Sequence, residues 1–141
     1  MTDPFRYRKV VIEADGGSRG NPGPAAYGAV LKDAETGQVI AEDGSTIGRA
    51  TNNVAEYRAL LLGIERAKQL GATELELVGD SELVVKQVRG EYRVKDAGLK
   101  PLHSAAQHAL GDFSEWQIRH VKRAQNSEAD ALVNQALDAE R

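Results

Sequence analysis

The chain of 141 residues has the length of one domain, so we expect residues 1–141 to form a single domain, alone or as part of a longer fusion. The composition, 41% hydrophobic and 28% charged, is that of a globular protein, and no apolar run approaches the roughly 20 residues of a membrane span. The absence of cysteine excludes disulfides and thiolate metal sites, which fits a cytoplasmic protein. A net charge of −3 without a long basic block predicts modest, salt-sensitive binding to any polyanion.

Three segments in the first third of the chain have the pattern of strands. Residues 9–14 are rich in β-branched side chains and stop before Asp15 and two glycines. Residues 26–32 and 38–48 flank a hairpin-like turn at residues 35–37. These segments are therefore predicted to form antiparallel pairs.

Helices and strands are predicted to alternate in the rest of the chain. Residues 53–70 place apolar side chains at helical spacing and are followed by Gly71, which is typical of a helix end. The later segments are predicted as a strand, two helices, a strand and a helix: 73–78, 81–88, 99–110, 115–121 and 128–137. Because β–α–β units give parallel pairs with right-handed crossovers, the order predicts an α/β domain with a mixed sheet and helices on its faces.

Four acidic residues are predicted to stand at the ends of elements. Asp15 closes the first strand, Glu56 lies in the first turn of the long helix, and Asp80 follows the fourth strand. Asp130 lies near the start of the last helix. Mixed α/β sheets build their sites at such ends. Clustered carboxylates repel one another unless cations lie between them, and two bridged magnesium ions suit phosphodiester hydrolysis.

Each of these acids also has a local explanation. Glu56 comes three residues after Asn53, as in a capping box, and Asp80 could cap the helix that follows it. An acid at position 130 suits the dipole of a helix start, and Asp15 before two glycines suits a turn. Spacing alone does not decide whether the four acids meet.

Four stretches taken together resemble the motifs of type 1 ribonuclease H, in order from about residue 9 to residue 137. They are DGGSRGNPGP from Asp15, GRATNNVAE ending at Glu56, the pair Asp80-Ser81, and NSEAD ending at Asp130. The resemblance implies a ribonuclease H-like fold, with a five-stranded mixed sheet whose first three strands are antiparallel and which helices flank. It also implies an endonuclease that hydrolyses the RNA strand of RNA–DNA hybrids and leaves 5′-phosphate and 3′-hydroxyl ends.

The resemblance further implies a role for particular residues. The catalytic and metal-binding carboxylates would be Asp15, Glu56, Asp80 and Asp130. They would hold two Mg²⁺ ions, for which Mn²⁺ could substitute. The residues that contact the RNA strand and its 2′-hydroxyls would be Gly16, Gly17, Asn21, Asn52 and Asn53. Arg49 and Thr51 would hold a phosphate of the DNA strand. The domain is expected to be a monomer that binds hybrid and no membrane.

Two features depart from the family pattern. Residues 89–100 are too short for the basic protrusion of many members, so the chain resembles an archaeal-type or bacterial branch that lacks it. The glycine-rich loop that carries a catalytic histidine before the last aspartate is also missing, so alignment puts either Arg123 or His120 at its position. We prefer Arg123 as the catalytic residue, because His120 falls within a predicted strand. Arginine does not shuttle protons near neutral pH, but it could hold the scissile phosphate or assist product release.

Three other functions compete with this one. A DNA nuclease or transposase of the same superfold usually lacks the DGGxxGNPG string and needs further DNA-binding domains. A module that binds hybrids without cutting them would not need all four acids. A structural metal-binding domain would leave the asparagines unexplained. The hydrolase is the hypothesis that accounts for the most residues.

Overall fold

The computed structural model describes residues 7–139, so the predicted domain of residues 1–141 extends beyond the described range at both ends. The strands are β1 (Lys9–Ser18), β2 (Gly23–Asp33), β3 (Val39–Ala50), β4 (Glu74–Gly79) and β5 (Glu115–His120). The helices are α1 (Asn52–Gln69), α2 (Glu82–Arg89), α3 (Lys100–Leu110) and α4 (Ser127–Ala139), with a 3₁₀ turn at Arg123–Asn126 before α4. None of the helices within residues 7–139 combines the length and apolar character needed to cross a bilayer.

The strands form one mixed sheet in the order β3-β2-β1-β4-β5. The pairs β1–β2 and β2–β3 are antiparallel, whereas β1–β4 and β4–β5 are parallel. The predicted fold class is therefore confirmed. This order puts β1 in the centre, so its residues can be reached by groups on both neighbouring strands and on helices of either face.

Helices cover both faces of the sheet, as the alternation of side chains along β2 requires. Leu31 belongs to the main core, which β1, β4 and helices α1 to α3 build. Ala26 packs on the other side with Val133 and Leu137 of α4. At Gly28 a Cβ atom would lie 2.7 Å from the carbonyl oxygen of Ala129. A glycine there lets α4 approach β2 closely enough to hold its first turn beside β1.

Two predicted boundaries are wrong in ways that affect the site. Asp15 does not close β1, because the ladder with β2 continues through Asp15–Gly28 to Ser18. Asp15 lies instead one residue past the end of the parallel ladder with β4, whose last pair is Ala14–Gly79. Glu56 is in the second turn of α1 rather than the first, because the helix already begins at Asn52.

Candidate active site

Three of the predicted carboxylates meet beyond the end of the β1–β4 ladder. Asp15, Glu56 and Asp80 each offer one oxygen, and these oxygens all lie within 4.8 Å of one another. Asp15 comes from β1, Glu56 from α1 and Asp80 from the residue after β4. Asp15 and Glu56 are buried, while Asp80 is partly exposed. Residues far apart in sequence thus form one cluster, open to solvent on the side of Asp80.

The contact between β1 and α1 at Gly16 fixes the position of Glu56. A Cβ atom on Gly16 would lie 2.2 Å from the backbone carbon of Ala55, so only glycine fits at this position. The Gly16 N–H donates a hydrogen bond of 3.0 Å to Glu56 Oε1. The Gly16 amide therefore positions the Glu56 carboxylate, a role that the sequence did not reveal.

Burial and mutual repulsion make the charged forms of the two buried carboxyls, Asp15 and Glu56, unfavourable in the protein alone. Burial raises the pKa of Asp15 to about 7, and repulsion from Asp80 and Asp130 adds to the shift against the opposing effect of its hydrogen bond with Glu56. Burial also raises the pKa of Glu56 well above its usual range, and Asp15 raises it further. A divalent cation would supply the missing positive charge. The donors are all oxygen atoms, which suits a hard ion such as Mg²⁺ or Mn²⁺.

Asp130 lies next to Asp15 in the cleft but is not one of the three acids whose oxygens converge. Among residues 7–139, the acids whose carboxylate oxygens all lie within 4.8 Å of one another are Asp15, Glu56 and Asp80, and Asp130 is not one of them. Asp130 Oδ1 accepts a 3.2 Å hydrogen bond from Arg123 Nη2, and Oδ2 accepts one of 3.3 Å from Asn134 Nδ2. A side-chain hydrogen bond with Asp130 and the charge of Asp130 nevertheless both raise the pKa of Asp15. Asp130 is therefore close enough to interact with the cluster electrostatically.

Other residues provide the helix caps that could have explained two of the acids locally. The α1 cap is Thr51, whose hydroxyl accepts from the Val54 N–H at 3.3 Å, so the capping box at Asn53 is wrong. Ser81 caps α2 in the same way, through the Val84 N–H at 3.3 Å. Glu56 and Asp80 thus have no capping role.

Asparagine side chains tie the β1–β2 loop to the start of α1. Asn52 Oδ1 accepts from the Ser18 N–H at 2.8 Å, and the Asn52 N–H donates to Asn21 Oδ1 at 3.0 Å. These bonds use the oxygens of both amides and leave their Nδ2 donors for a ligand. Gly17 and Asn53 also line the cleft.

The two residues expected at a DNA phosphate lie outside this cleft. Arg49 is an exposed residue near the end of β3 and borders a separate cavity of about 350 Å³ with Pro24 and Leu137. Thr51 stands between Arg49 and the cleft residue Asn52 in the chain and uses its hydroxyl as the α1 cap. A DNA strand whose phosphate is held by Arg49 and Thr51 would therefore run beside the cleft rather than through it.

Of the two candidates for the missing loop histidine, the structure places Arg123 in the cleft. Arg123 lines it and pairs with Asp130, and this hydrogen bond raises the pKa of Arg123. His120 is the exposed last residue of β5, with Nε2 at 3.2 Å from the backbone oxygen of Asp80. His120 therefore lies beside the loop that carries Asp80 and does not line the cleft.

The whole cleft has a volume of about 490 Å³ and includes residues that sequence reasoning missed. Asn134 lies one helical turn after Asp130, a spacing that could have revealed it. Arg19 also lines the cleft and lies inside the first motif, but the family resemblance implies no role for it. Asn126, at the end of the 3₁₀ turn, does not line the cleft but is fully buried and donates a 2.8 Å hydrogen bond to the Ala14 carbonyl. That bond joins the start of α4 to β1 next to Asp15.

Comparisons with known proteins agree on one family. The family model described as reverse transcriptase-like matches residues 13–136. Ribonuclease HI of Halobacterium salinarum is 49% identical over 138 residues, which are 98% of this chain and 69% of that protein. The bifunctional protein Rv2228c of Mycobacterium tuberculosis is 53% identical over 131 residues, 93% of this chain. The chain spans only 36% of the length of that mycobacterial protein.

Solved structures give the same answer. The N-terminal RNase H domain of Rv2228c matches with a TM-score of 0.90 and 53% identity, covering 93% of this chain and 94% of that one. RNase H1 of Halobacterium salinarum matches with a TM-score of 0.90 and 50% identity over 93% and 98% of the two chains. LC11-RNase H1, solved with an RNA/DNA hybrid, matches with a TM-score of 0.88 and 39% identity over 93% and 98%. By sequence and by fold, the chain belongs to the type 1 ribonuclease H family.

Proposed function

We propose that this chain is an endonuclease that hydrolyses the RNA strand of RNA–DNA hybrids and leaves 5′-phosphate and 3′-hydroxyl ends. The observation that carries the proposal is the cluster of Asp15, Glu56 and Asp80 within 4.8 Å, in a cleft rimmed by glycine backbone and asparagine amides. Amide and peptide groups suit a 2′-hydroxyl, which both donates and accepts hydrogen bonds. The hybrid bound to the similar LC11-RNase H1 supports the choice of substrate.

Divalent cations would be held by Asp15, Glu56 and Asp80, with Asp130 completing the set. Two Mg²⁺ ions, replaceable by Mn²⁺, fit the all-oxygen donors and the uncompensated charge. Such a pair supplies an activated water and stabilises the leaving oxygen. The protein contributes the rigid spacing of the carboxylates, because the sheet fixes Asp15 and the Gly16 N–H fixes Glu56.

The other residues of the site are assigned to the two strands of the substrate. Gly16 and Gly17 with Asn21, Asn52 and Asn53 contact the RNA strand, the asparagines through their Nδ2 donors. Gly16 takes part through its carbonyl and its contact with α1, since its amide serves Glu56.

Arg49 and Thr51 hold a phosphate of the DNA strand beside the cleft. Arg123 acts as a catalytic residue that holds the scissile phosphate. Its present partner is Asp130, at 3.2 Å, so cation binding by Asp130 would release the guanidinium toward the phosphate.

Cleavage of four labelled substrates in Mg²⁺ tests this function: hybrid, duplex RNA, duplex DNA and single-stranded RNA. We expect efficient cleavage of the hybrid alone. Comparable cutting of duplex DNA would favour a DNA nuclease of the same superfold, and binding of the hybrid without cutting would favour a non-catalytic module. The cytoplasmic location and the monomeric state stay predictions from the sequence, and gel filtration tests the second.

A further inference from the structure

Arg19 is a cation of the cleft that has no part in the function proposed above. It follows the glycines assigned to the RNA strand and lines the same cavity as the carboxylates. Its Nη2 atom donates a 2.7 Å hydrogen bond to Oδ1 of Asp138, in the last turn of α4. The two side chains are 40% and 59% exposed, so the ion pair lies at the mouth of the cleft, where it contributes little to stability.

The backbone at Arg19 is held firmly, so only its side chain is free to change partner. The Arg19 N–H donates to the Pro24 carbonyl at 2.8 Å, and the preceding residue, Ser18, is tied to Asn52. A Cβ atom on Gly23 would lie 2.2 Å from the Arg19 carbonyl oxygen, which shows how tightly the loop closes. The loop therefore holds the Arg19 backbone beside the start of α1, from where the guanidinium reaches the last turn of α4.

Both arginines that line the cleft are paired with aspartates of the same helix. Arg123 meets Asp130 at 3.2 Å and Arg19 meets Asp138 at 2.7 Å, so α4 neutralises both. The remaining charged groups of the cleft are carboxylates, which repel a polyanion. A nucleic acid backbone entering the cleft needs a cation, and a guanidinium matches a phosphate with two parallel hydrogen bonds.

We propose that Arg19 binds a backbone phosphate of the RNA strand, and that Asp138 holds the guanidinium until the hybrid displaces it. This inference rests on the proposed function, because it needs a hybrid in the cleft. Arg19 then increases affinity, whereas Asp138 competes with the phosphate and lowers it. A purely structural ion pair would behave differently, since losing either partner would lower stability and leave affinity unchanged.

Fluorescence anisotropy with a labelled hybrid in Ca²⁺, repeated over a range of KCl concentrations, tests the two opposite effects in the full chain. We expect Arg19→Ala to weaken binding roughly three- to tenfold at 0.1 M salt and to reduce the salt slope by about one. We expect Asp138→Asn to strengthen binding. Wild-type affinity and slope in Arg19→Ala, or unchanged affinity in Asp138→Asn, would overturn the proposal.

A double mutant separates direct competition from general charge repulsion. If Asp138 acts through Arg19, the gain from Asp138→Asn disappears in the Arg19→Ala background, and a gain that survives there contradicts the proposal. The pair Arg66–Asp43, at 2.9 Å between α1 and β3, is the matched control outside the cleft, and Arg66→Ala and Asp43→Asn should leave binding unchanged. Failure of the wild type to bind hybrid would instead contradict the proposed function itself.

Discussion

Asp15 is the residue at which stability and the proposed chemistry oppose each other. It is 5% exposed beside Glu56 and Asp80, and burial among these acids raises its pKa to about 7. A carboxylate kept in such a place costs free energy in the cation-free protein. That cost is explained if the group must be present to bind a metal.

Replacing Asp15 with Asn should abolish most of the activity while hybrid binding survives. Asparagine keeps the shape but removes the charge, so we expect cleavage to fall by roughly three orders of magnitude or more. Single-turnover cleavage rates and hybrid affinity in Ca²⁺ measure the two effects. A variant that binds hybrid and cuts at wild-type speed would remove Asp15 from the active site.

The same substitution should stabilise the cation-free protein in a pH-dependent way. Folding raises the pKa of Asp15 to about 7, so protonation of Asp15 stabilises the folded protein. This stabilisation is fully present below about pH 4 and is lost as the pH rises to about 7. In EDTA we therefore expect Asp15→Asn to gain roughly 1–4 kcal/mol above pH 7 and almost nothing at pH 4. Urea unfolding at both pH values measures this, and equal gains at the two would contradict it.

Arg123→Ala should lower turnover more than His120→Ala. Arg123 lines the cleft and His120 does not, so we expect a loss of roughly ten- to hundredfold in kcat for the arginine variant. His120 is exposed at the end of β5, so its replacement should also have little effect on folding. Measurements of kcat and Tm for both variants decide whether Arg123 or His120 is the catalytic residue. A stable His120→Ala protein with a collapsed kcat would reverse the assignment.

At the scale of elements, the close contact of β1 with α1 sets the position of Glu56. We expect Gly16→Ala to be destabilising by about 1–3 kcal/mol, because the added carbon would lie 2.2 Å from the Ala55 backbone, which does not yield as a side chain does. Gly17→Ala is the matched control, since its nearest neighbours would be at 3.8 Å. Urea unfolding of both variants tests the contact, and similar losses at the two positions would contradict it.

A buried hydrogen bond joins α1 to α2 and should make stability fall at high pH. Tyr57 is fully buried, its hydroxyl donates to Gln87 Oε1 at 2.7 Å, and burial raises its pKa to about 12. The stability that the protonated phenol contributes is fully present below about pH 10 and is lost as the pH rises to about 12, by roughly 2–3 kcal/mol. Tyr57→Phe should lack this loss, although it costs about 1 kcal/mol at neutral pH. If the free energy of unfolding changes with pH in the same way in the wild type and in Tyr57→Phe, Tyr57 does not titrate in this range.

At the scale of the whole molecule, cation binding should couple to folding. Asp15, Glu56 and Asp80 come together only in the folded sheet, so an ion held there stabilises the native state, by about 2.7 kcal/mol at a hundredfold excess over Kd. We expect Mg²⁺ to raise Tm and Asp15→Asn to lose most of this rise. Ca²⁺ should support hybrid binding with little turnover. Full activity in excess chelator, or a Tm that Mg²⁺ does not change, would refute the metal site.

The sequence by itself determined the order and type of the elements. Apolar side chains repeat about every two residues in strands and every 3.6 residues in helices, and both patterns can be read within one short segment. The motifs also pointed to the family, since four residue strings in fixed order are rarely matched together. Boundaries were less accurate where tertiary contacts override local signals. β1 continues through Gly16 and Gly17 because β2 pairs with them, although two glycines by themselves indicate a turn.

Only the tertiary structure decided which side chains meet. Asp15 and Asp80 are adjacent because β1 and β4 are parallel neighbours, and no spacing along the chain encodes that register. Glu56 reaches them because α1 touches β1 at Gly16, a contact whose need for glycine appears only in three dimensions. The pairing of Arg19 with Asp138 likewise spans most of the chain. Local sequence specifies elements through short-range interactions, whereas a site depends on distances that the packing of the whole sheet sets.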